Sequence, residues 1–156
     1  MEKFNNKKMI HEISAGGIVF RKFQISNFQF QIKWLICQHS QHKGWVFPKG
    51  LVGDKKRDEP LEEAALREVE EEGGIKAKLI SPLPKPVEYY YLYKGDKIKK
   101  TVHYFLMEYI SGDPKNHDFE MVDAKFIPKN DVRKTLTYLT DKEAFEEAIK
   151  LMINRY

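Results

Sequence analysis

The chain has 156 residues, a formal net charge of +4, one cysteine, and apolar and charged fractions of 42% and 32%. This length suits one domain spanning residues 1–156 with a sizeable core. No apolar run reaches the roughly 18 residues that a membrane span needs, and a lone Cys37 excludes an intrachain disulfide. The start, MEKFNNKKMIHEIS, carries no hydrophobic signal region. A reducing cytoplasm is therefore the expected compartment, with no membrane partner and no DNA. The positive balance favours an anionic ligand, whether nucleotide, polyphosphate or nucleic acid.

In chain order, His11 to Arg21 reads as a strand, with Gly16-Gly17 marking a bulge or a close backbone approach. Lys22 to Asn27 is the expected connection to a second strand, Phe28 to Gln38, which is rich in aromatic and β-branched residues. Cys37 within it reads as a small core residue. His39 and His42, near Lys43, read as solvated loop residues, with phosphate contact as the alternative. Trp45 to Phe47 is a short strand leading into a glycine-containing loop. Pro60 suits the first turn of a helix and Gly73-Gly74 its stop, so a helix is predicted from about Pro60 to Glu72.

Lys76 to Ser81 is the next strand. Val87 to Tyr93 and Lys97 to Tyr109 come after it as two antiparallel strands joined at Lys94-Gly95-Asp96. Ala124 to Ile127 is a last strand and Asn130 to Leu136 a short helix. Asp141 to Asn154 has helical periodicity through Phe145, Ala148, Ile149 and Met152, with Asp141 as the expected N-cap. Strands on both sides of one central helix, plus a C-terminal helix, imply a mixed sheet covered on both faces.

The chemistry concentrates in the central helix. Glu68, Glu71 and Glu72 stand at i, i+3 and i+4, which brings them to one side of a helix. Three like charges that close repel each other unless a cation sits between them, and hard divalent cations such as Mg2+ take oxygen ligands of this kind. At about 100° per residue, Leu61, Ala64, Ala65 and Val69 form an apolar stripe. Glu68 and Glu72 project almost over Leu61, and Glu71 lies along the stripe's edge. Glu63, Arg67 and Glu70 point away from it. Carboxylates held against a buried stripe are partly desolvated and need a partner. On these residues alone, a metal-binding helix and a solvated acidic face both stay open.

A wider pattern decides between them. Gly53, five residues, Glu59, seven residues, then Arg67-Glu68-Val69-x-Glu71-Glu72-x-Gly74-Ile75 resembles the Nudix box over its full 23 residues. Ser14-Ala15-Gly16-Gly17-Ile18-Val19-Phe20 resembles the family's first core strand, and Trp45-Val46-Phe47-Pro48-Lys49-Gly50 its approach to the box. The resemblance runs from about Ile10 to Pro128. One feature departs from it. The box's first glycine is usually the one in Pro-Lys-Gly, here Gly50, yet eight residues rather than five separate Gly50 from Glu59. The chain thus has a longer loop, Leu51 to Asp58, carrying Lys55, Lys56 and Arg57, and Gly53 restores the formal spacing.

This resemblance implies an α/β/α sandwich and an enzyme: a Mg2+-dependent pyrophosphohydrolase, with Mn2+ as the alternate metal. It implies Glu68, Glu71, Glu72 and the backbone carbonyl at Lys49 or Gly50 as metal ligands. Glu68 doubles as the expected base or shared ligand. Glu59 and Arg67 become the support that holds the loop against the helix through a bidentate carboxylate–guanidinium pair. Glu120, six residues before Phe126, resembles the acidic-loop position of the diadenosine polyphosphate hydrolases, with a plain exposed glutamate as the other reading. Asp118 and Asp123 are weaker candidates. Lys49 is expected on phosphate.

For substrate, Val87-Glu88-Tyr89-Tyr90-Tyr91-Leu92-Tyr93 and Lys99-Lys100-Thr101-Val102-x-Tyr104 resemble that same subfamily. Alternation puts Tyr89 and Tyr91 on one face and Tyr90 on the other. Tyr89, Tyr91, Lys100 and Tyr104 are therefore the expected contacts to a purine and its polyphosphate, and His103 reads as a satisfied strand histidine. Diadenosine polyphosphate is the favoured substrate. An RNA 5′ end, an oxidised nucleoside triphosphate and a diphosphoinositol polyphosphate are the rivals, and a non-catalytic nucleotide-binding domain is the rival of another class. The Lys55-Lys56-Arg57 cluster keeps RNA open. Monomer and homodimer are both open.

Overall fold

β1 (Ile10–Ser26) runs through the centre of the sheet. It pairs with β2 (Gln29–His39) along its second half, and with β4 (Lys49–Leu51) and β7 (Asp96–Gly112) along its first. The computed structural model describes residues 9–53 and 57–155. The two strands β1 and β7 lie parallel, from Ile10 opposite Ile98 to Phe20 opposite Glu108. All other pairings among the described residues are antiparallel. β3 (Trp45–Val46) and β8 (Met121–Pro128) flank β2, while β5 (Ile75–Pro82) and β6 (Val87–Tyr93) flank β7.

Helix α1 (Leu61–Gly73) covers one face, and α2 (Lys129–Thr135) and α3 (Leu139–Arg155) cover the other. Two separate cores result. Ala64, Ala65 and Val69 of α1 pack on Ala15, Val19, Leu35 and Met107. Val132, Phe145 and Ala148 pack on Phe20, Trp34, Phe47 and Leu106. The strands obey the alternation that this demands, because Ile18 and Phe20 face one core and Val19 the other. The expected mixed sheet covered on both faces is the architecture found. No helix among the described residues is long and apolar enough to cross a membrane.

Gly16 is required by close approach rather than by a bulge. A Cβ there would lie 2.3 Å from the Pro48 carbonyl oxygen, and the Gly17 N–H donates to that same oxygen at 3.1 Å. These contacts fix the strand that leads to the acidic helix.

Two expectations are corrected. Lys22 to Ser26 is strand rather than connection: β1 and β2 stay paired out to Ser26 opposite Gln29, and only Asn27 and Phe28 turn. The pairing persists beyond the core because Arg21 and Lys33 both lie over the Phe23 ring, at 4.5 and 5.0 Å. Asp141 is not an N-cap. α3 starts at Leu139, and Asp141, 4% exposed, accepts a hydrogen bond from the Tyr104 hydroxyl at 3.0 Å. Lys55 and Lys56 of the basic loop lie outside the described residues.

Candidate active site

The register that seats α1 also orients its acids. Pro60 precedes the first turn with φ −62°, and Gly74 closes the helix in the left-handed region at φ 73°. The helix end is tied to the following loop, since the Asp118 N–H donates to the Glu71 carbonyl at 2.8 Å. With Val69 on the sheet, Glu68 and Glu72 are carried into the protein, 5% and 4% exposed. Glu71 sits at the edge, its side chain 36% exposed.

Each buried carboxylate has a defined neighbour. The Lys49 N–H donates to Glu72 Oε1 at 3.1 Å. Gly50 lies flat against Glu68: a Cβ there would be 2.2 Å from the Glu68 carboxyl carbon. Burial pushes the Glu68 pKa up to about 7, partly opposed by Arg67 and reinforced by Glu71 and Glu120. Burial pushes that of Glu72 further, to about 8, against the Lys49 N–H and with Glu68 and Glu120 adding to the rise. The Cys37 thiol, behind this helix, is likewise pushed well up by burial, which leaves it a core residue and not a nucleophile.

Arg67 does not point away from the stripe as helical spacing alone implies. Its side chain, 19% exposed, folds back over the acids. It grips Glu59 in bidentate fashion at 2.8 and 2.9 Å, and its third nitrogen reaches Glu68 at 2.8 Å and Glu71 at 3.3 Å. Glu59 is 8% exposed. The Gly53 N–H lies 3.4 Å from Glu59 Oε1, with Gly53 at φ 81°. The two glycines therefore have separate duties: Gly50 makes room for Glu68, and Gly53 turns the long loop onto Glu59.

These groups open into a cavity of about 530 Å³ lined by Lys49, Gly50, Glu68, Glu71, Glu72 and Glu120 among others. Lys49, Tyr89 and Lys100 also line a second cavity of about 630 Å³, which carries Tyr91 and Tyr138. The acidic site and an aromatic groove thus share a wall. Tyr89 and Tyr91 share a face, ring centroids 6.3 Å apart. Tyr90 is on the opposite face, 54% exposed, with Lys97 over its ring at 5.0 Å.

The structure separates some expected groups from the rest. Tyr104 does not reach the groove: it is 2% exposed, packed on Phe47 and bonded to Asp141, because α3 covers this end of the face that it shares with Lys100. His103 lines a separate cavity of about 380 Å³ beside Pro84. His39 closes β2, and His42 stands exposed in the turn after it. Their rings stack at 4.2 Å, His42 Nδ1 accepts from the Gly44 N–H at 3.0 Å, and both line the acidic cavity. Burial, with His39 and Lys49, lowers the His42 pKa. Tyr138 was not legible: it lines the groove with its ring 5.7 Å from that of His42. An aromatic just before a predicted helix was its only signal.

Among the described residues, no three His, Cys, Asp or Glu side chains form a ready-made metal cage; Arg67 holds Glu68 and Glu71 instead. The donor set nevertheless fits a hard divalent cation. Glu68 and Glu72 are buried acids whose charged forms disfavour each other, both sense Glu120, and the Gly50 backbone abuts Glu68. A cation offsets that combination.

The NUDIX domain family matches residues 19–148. The chain belongs to the Nudix family. The protein named MutT4, a mutator-protein designation, of Mycobacterium tuberculosis (strain CDC 1551 / Oshkosh), is 29% identical over 147 residues. That match takes in 93% of this Nudix chain but only 57% of the relative, so the chain spans little more than half of that protein. The fold is shared with a C. elegans Ap4A hydrolase in a binary complex, at TM-score 0.71 and 23% identity over 93% of this chain and 99% of that one. It is also shared with the Nudix domain of Shewanella oneidensis NrtR complexed with ADP ribose, at TM-score 0.69 and 20% identity over 96% and 94%.

Proposed function

We propose that this Nudix domain is a divalent-metal-dependent pyrophosphohydrolase acting on nucleoside polyphosphates, with diadenosine polyphosphate as the favoured substrate. The observation that carries this reading is the shared wall: Lys49, Tyr89 and Lys100 line both the acidic cavity and the aromatic groove. A phosphate chain at the acids therefore has cations along its path and tyrosine rings where its base would lie. The fold shared with the C. elegans Ap4A hydrolase supports the choice of dinucleotide.

Glu68, Glu71, Glu72, Glu120 and the Gly50 carbonyl would hold the cation, with Mg2+ the expected ion. When bound, it withdraws charge from the phosphates and acidifies the attacking water. The water oxygen bonds to phosphorus, the bridging P–O bond breaks, and the second phosphate leaves as a nucleotide. A carboxylate takes the water's proton. Glu68, 5% exposed and held by Arg67, is the base or shared ligand this reading assigns. Arg67 and Glu59 keep Glu68 in place. Lys49 and Lys100 neutralise the phosphate chain, while Tyr89 and Tyr91 receive the purine by stacking.

The test is product analysis on a substrate panel, with and without Mg2+. The panel holds diadenosine tetra- and hexaphosphate, 8-oxo-dGTP, ADP-ribose, triphosphorylated RNA and diphosphoinositol polyphosphate. Mg2+-dependent release of ATP from the dinucleotides is expected. Preference for 8-oxo-dGTP, which the mutator designation of the MutT4 relative keeps in the panel, would keep the chemistry and overturn the substrate.

A further inference from the structure

We propose that Glu12 is a positioning residue of the nucleotide groove, fixing the Tyr91 ring as its wall and standing opposite Lys100 as its counter-charge. Glu12 lies well outside the acidic helix and its loop. In the parallel register of β1 and β7 it stands opposite Lys100, which in turn stands opposite Tyr89 on β6. Glu12, Lys100 and Tyr89 thus form one row across three strands on one face. Tyr91 is in the adjacent row, opposite Ile98, and its hydroxyl donates to Glu12 Oε1. The bond ties the tip of the edge strand β6 back to the sheet's centre.

A carboxylate beside a polyphosphate path repels the ligand unless it does something else there. The surroundings of Lys100 show what that is. Lys100 is half-buried, and burial and Lys49 both act against its charge. Three carboxylates support it: Glu12 most strongly, then Glu72 and Glu68. Glu72 and Glu68 are the acids a divalent cation would neutralise, whereas Glu12 stands apart from them on β1. The groups facing Lys100 are then Glu12 on β1, Lys49 on β4, Glu68 and Glu72 on α1, and Tyr89 on β6. A phosphate contact needs the charged form of lysine, and Glu12 preserves it.

This role rests on the nucleoside polyphosphate reading, and the experiment separates the two. The variants are Glu12→Gln, Tyr91→Phe and the double variant. The measurements are kcat and KM for diadenosine tetraphosphate from pH 6.5 to 9.5 with Mg2+, and calorimetric binding of ATP in EDTA. For Glu12→Gln, KM is expected to rise about tenfold, as for loss of a charged hydrogen-bond partner, with kcat within about twofold. Its KM should also begin to climb at lower pH than in the wild type, because Lys100 loses its proton sooner. Tyr91→Phe should raise KM by less, and the double variant should match Glu12→Gln because Tyr91 is held through Glu12. Unchanged KM across the pH range in Glu12→Gln, or independent multiplication of the two effects, overturns the role. A wild type that neither cleaves the dinucleotide nor binds ATP overturns the nucleotide reading itself, and the Glu12 role falls with it.

Discussion

Gly50→Ala isolates the site from the fold. Gly50 lies in β4 with strand geometry, so its backbone accepts alanine, but the new Cβ would stand 2.2 Å from the Glu68 carboxyl carbon and 2.3–2.4 Å from its oxygens. Ordinary contact begins at 3.4 Å, so the carboxyl group must retreat by at least the difference, 1.2 Å. The obstacle is the end of a flexible side chain, and it can swing aside. The stability cost should fall at the low end of overpacking, about 1 kcal/mol, or a Tm lower by about 2–4 °C at this size. Activity should suffer far more, because a misplacement of about 1 Å at a reacting group costs about a hundredfold.

Gly74→Ala is the contrasting control. There φ is 73° and the Cβ would meet backbone, the His117 nitrogen at 2.7 Å and the Asp113 oxygen at 2.8 Å. Left-handed strain of about 1–2 kcal/mol adds to overpacking that nothing can relieve. Thermal melts and kcat for diadenosine tetraphosphate, measured on both variants, decide the matter. Gly50→Ala should be folded and nearly inactive; Gly74→Ala should be the less stable and, at low temperature, the more active. A Gly50→Ala protein with near wild-type kcat would show that the Glu68 position does not govern the chemistry.

Glu71→Gln should abolish hydrolysis without lowering Tm, since Glu71 sits at the edge of the site; unchanged turnover removes it from the cation set. Arg67→Ala should cost about 2–4 kcal/mol in denaturant melts, because buried Glu59 loses its bidentate partner. Tyr104→Phe should cost about 1–3 kcal/mol of stability through Asp141 and leave KM alone, whereas Tyr89→Ala should raise KM. The pKa values of Glu68 and Glu72 are higher in the folded state than the ordinary 4.5 of the unfolded chain. Folding therefore takes up protons, and this stabilising contribution is complete below about pH 4.5 and lost as pH rises through 7 and 8. In EDTA, Tm should fall across that window, Glu72→Gln should flatten the fall, and Mg2+ should raise Tm more at pH 8 than at pH 5.5.

The acidic helix was the most legible part, because its periodicity, its glycine stop and its carboxylate spacing are all local. Val87–Tyr93 and the alternation of Tyr89 and Tyr91 were equally plain. The mixed, doubly covered sheet came from element order. The features that escaped depended on distant partners. Ser26 remains strand because β2 continues opposite it. Arg67 escaped helical spacing alone, which points it away, although the box resemblance implied the pair with Glu59 that turns it inward. Tyr104 looked like its neighbour Lys100 in a run of exposed-strand chemistry, and only the seating of α3 makes its hydroxyl a buried donor. The His39–His42 stack and Tyr138 come together across 96 positions, a separation that no window of sequence spans.

The two cores have a consequence for how such a scaffold diversifies. The acids hang from a helix whose packing belongs entirely to one layer, whereas the tyrosine groove is built on the other, around α3 and β6. Substitutions that retune the groove leave the packing beneath the acids untouched. Ligand range can therefore drift by neutral steps while the acidic site stays under its own, separate selection, and the two meet at the shared wall of Lys49, Tyr89 and Lys100.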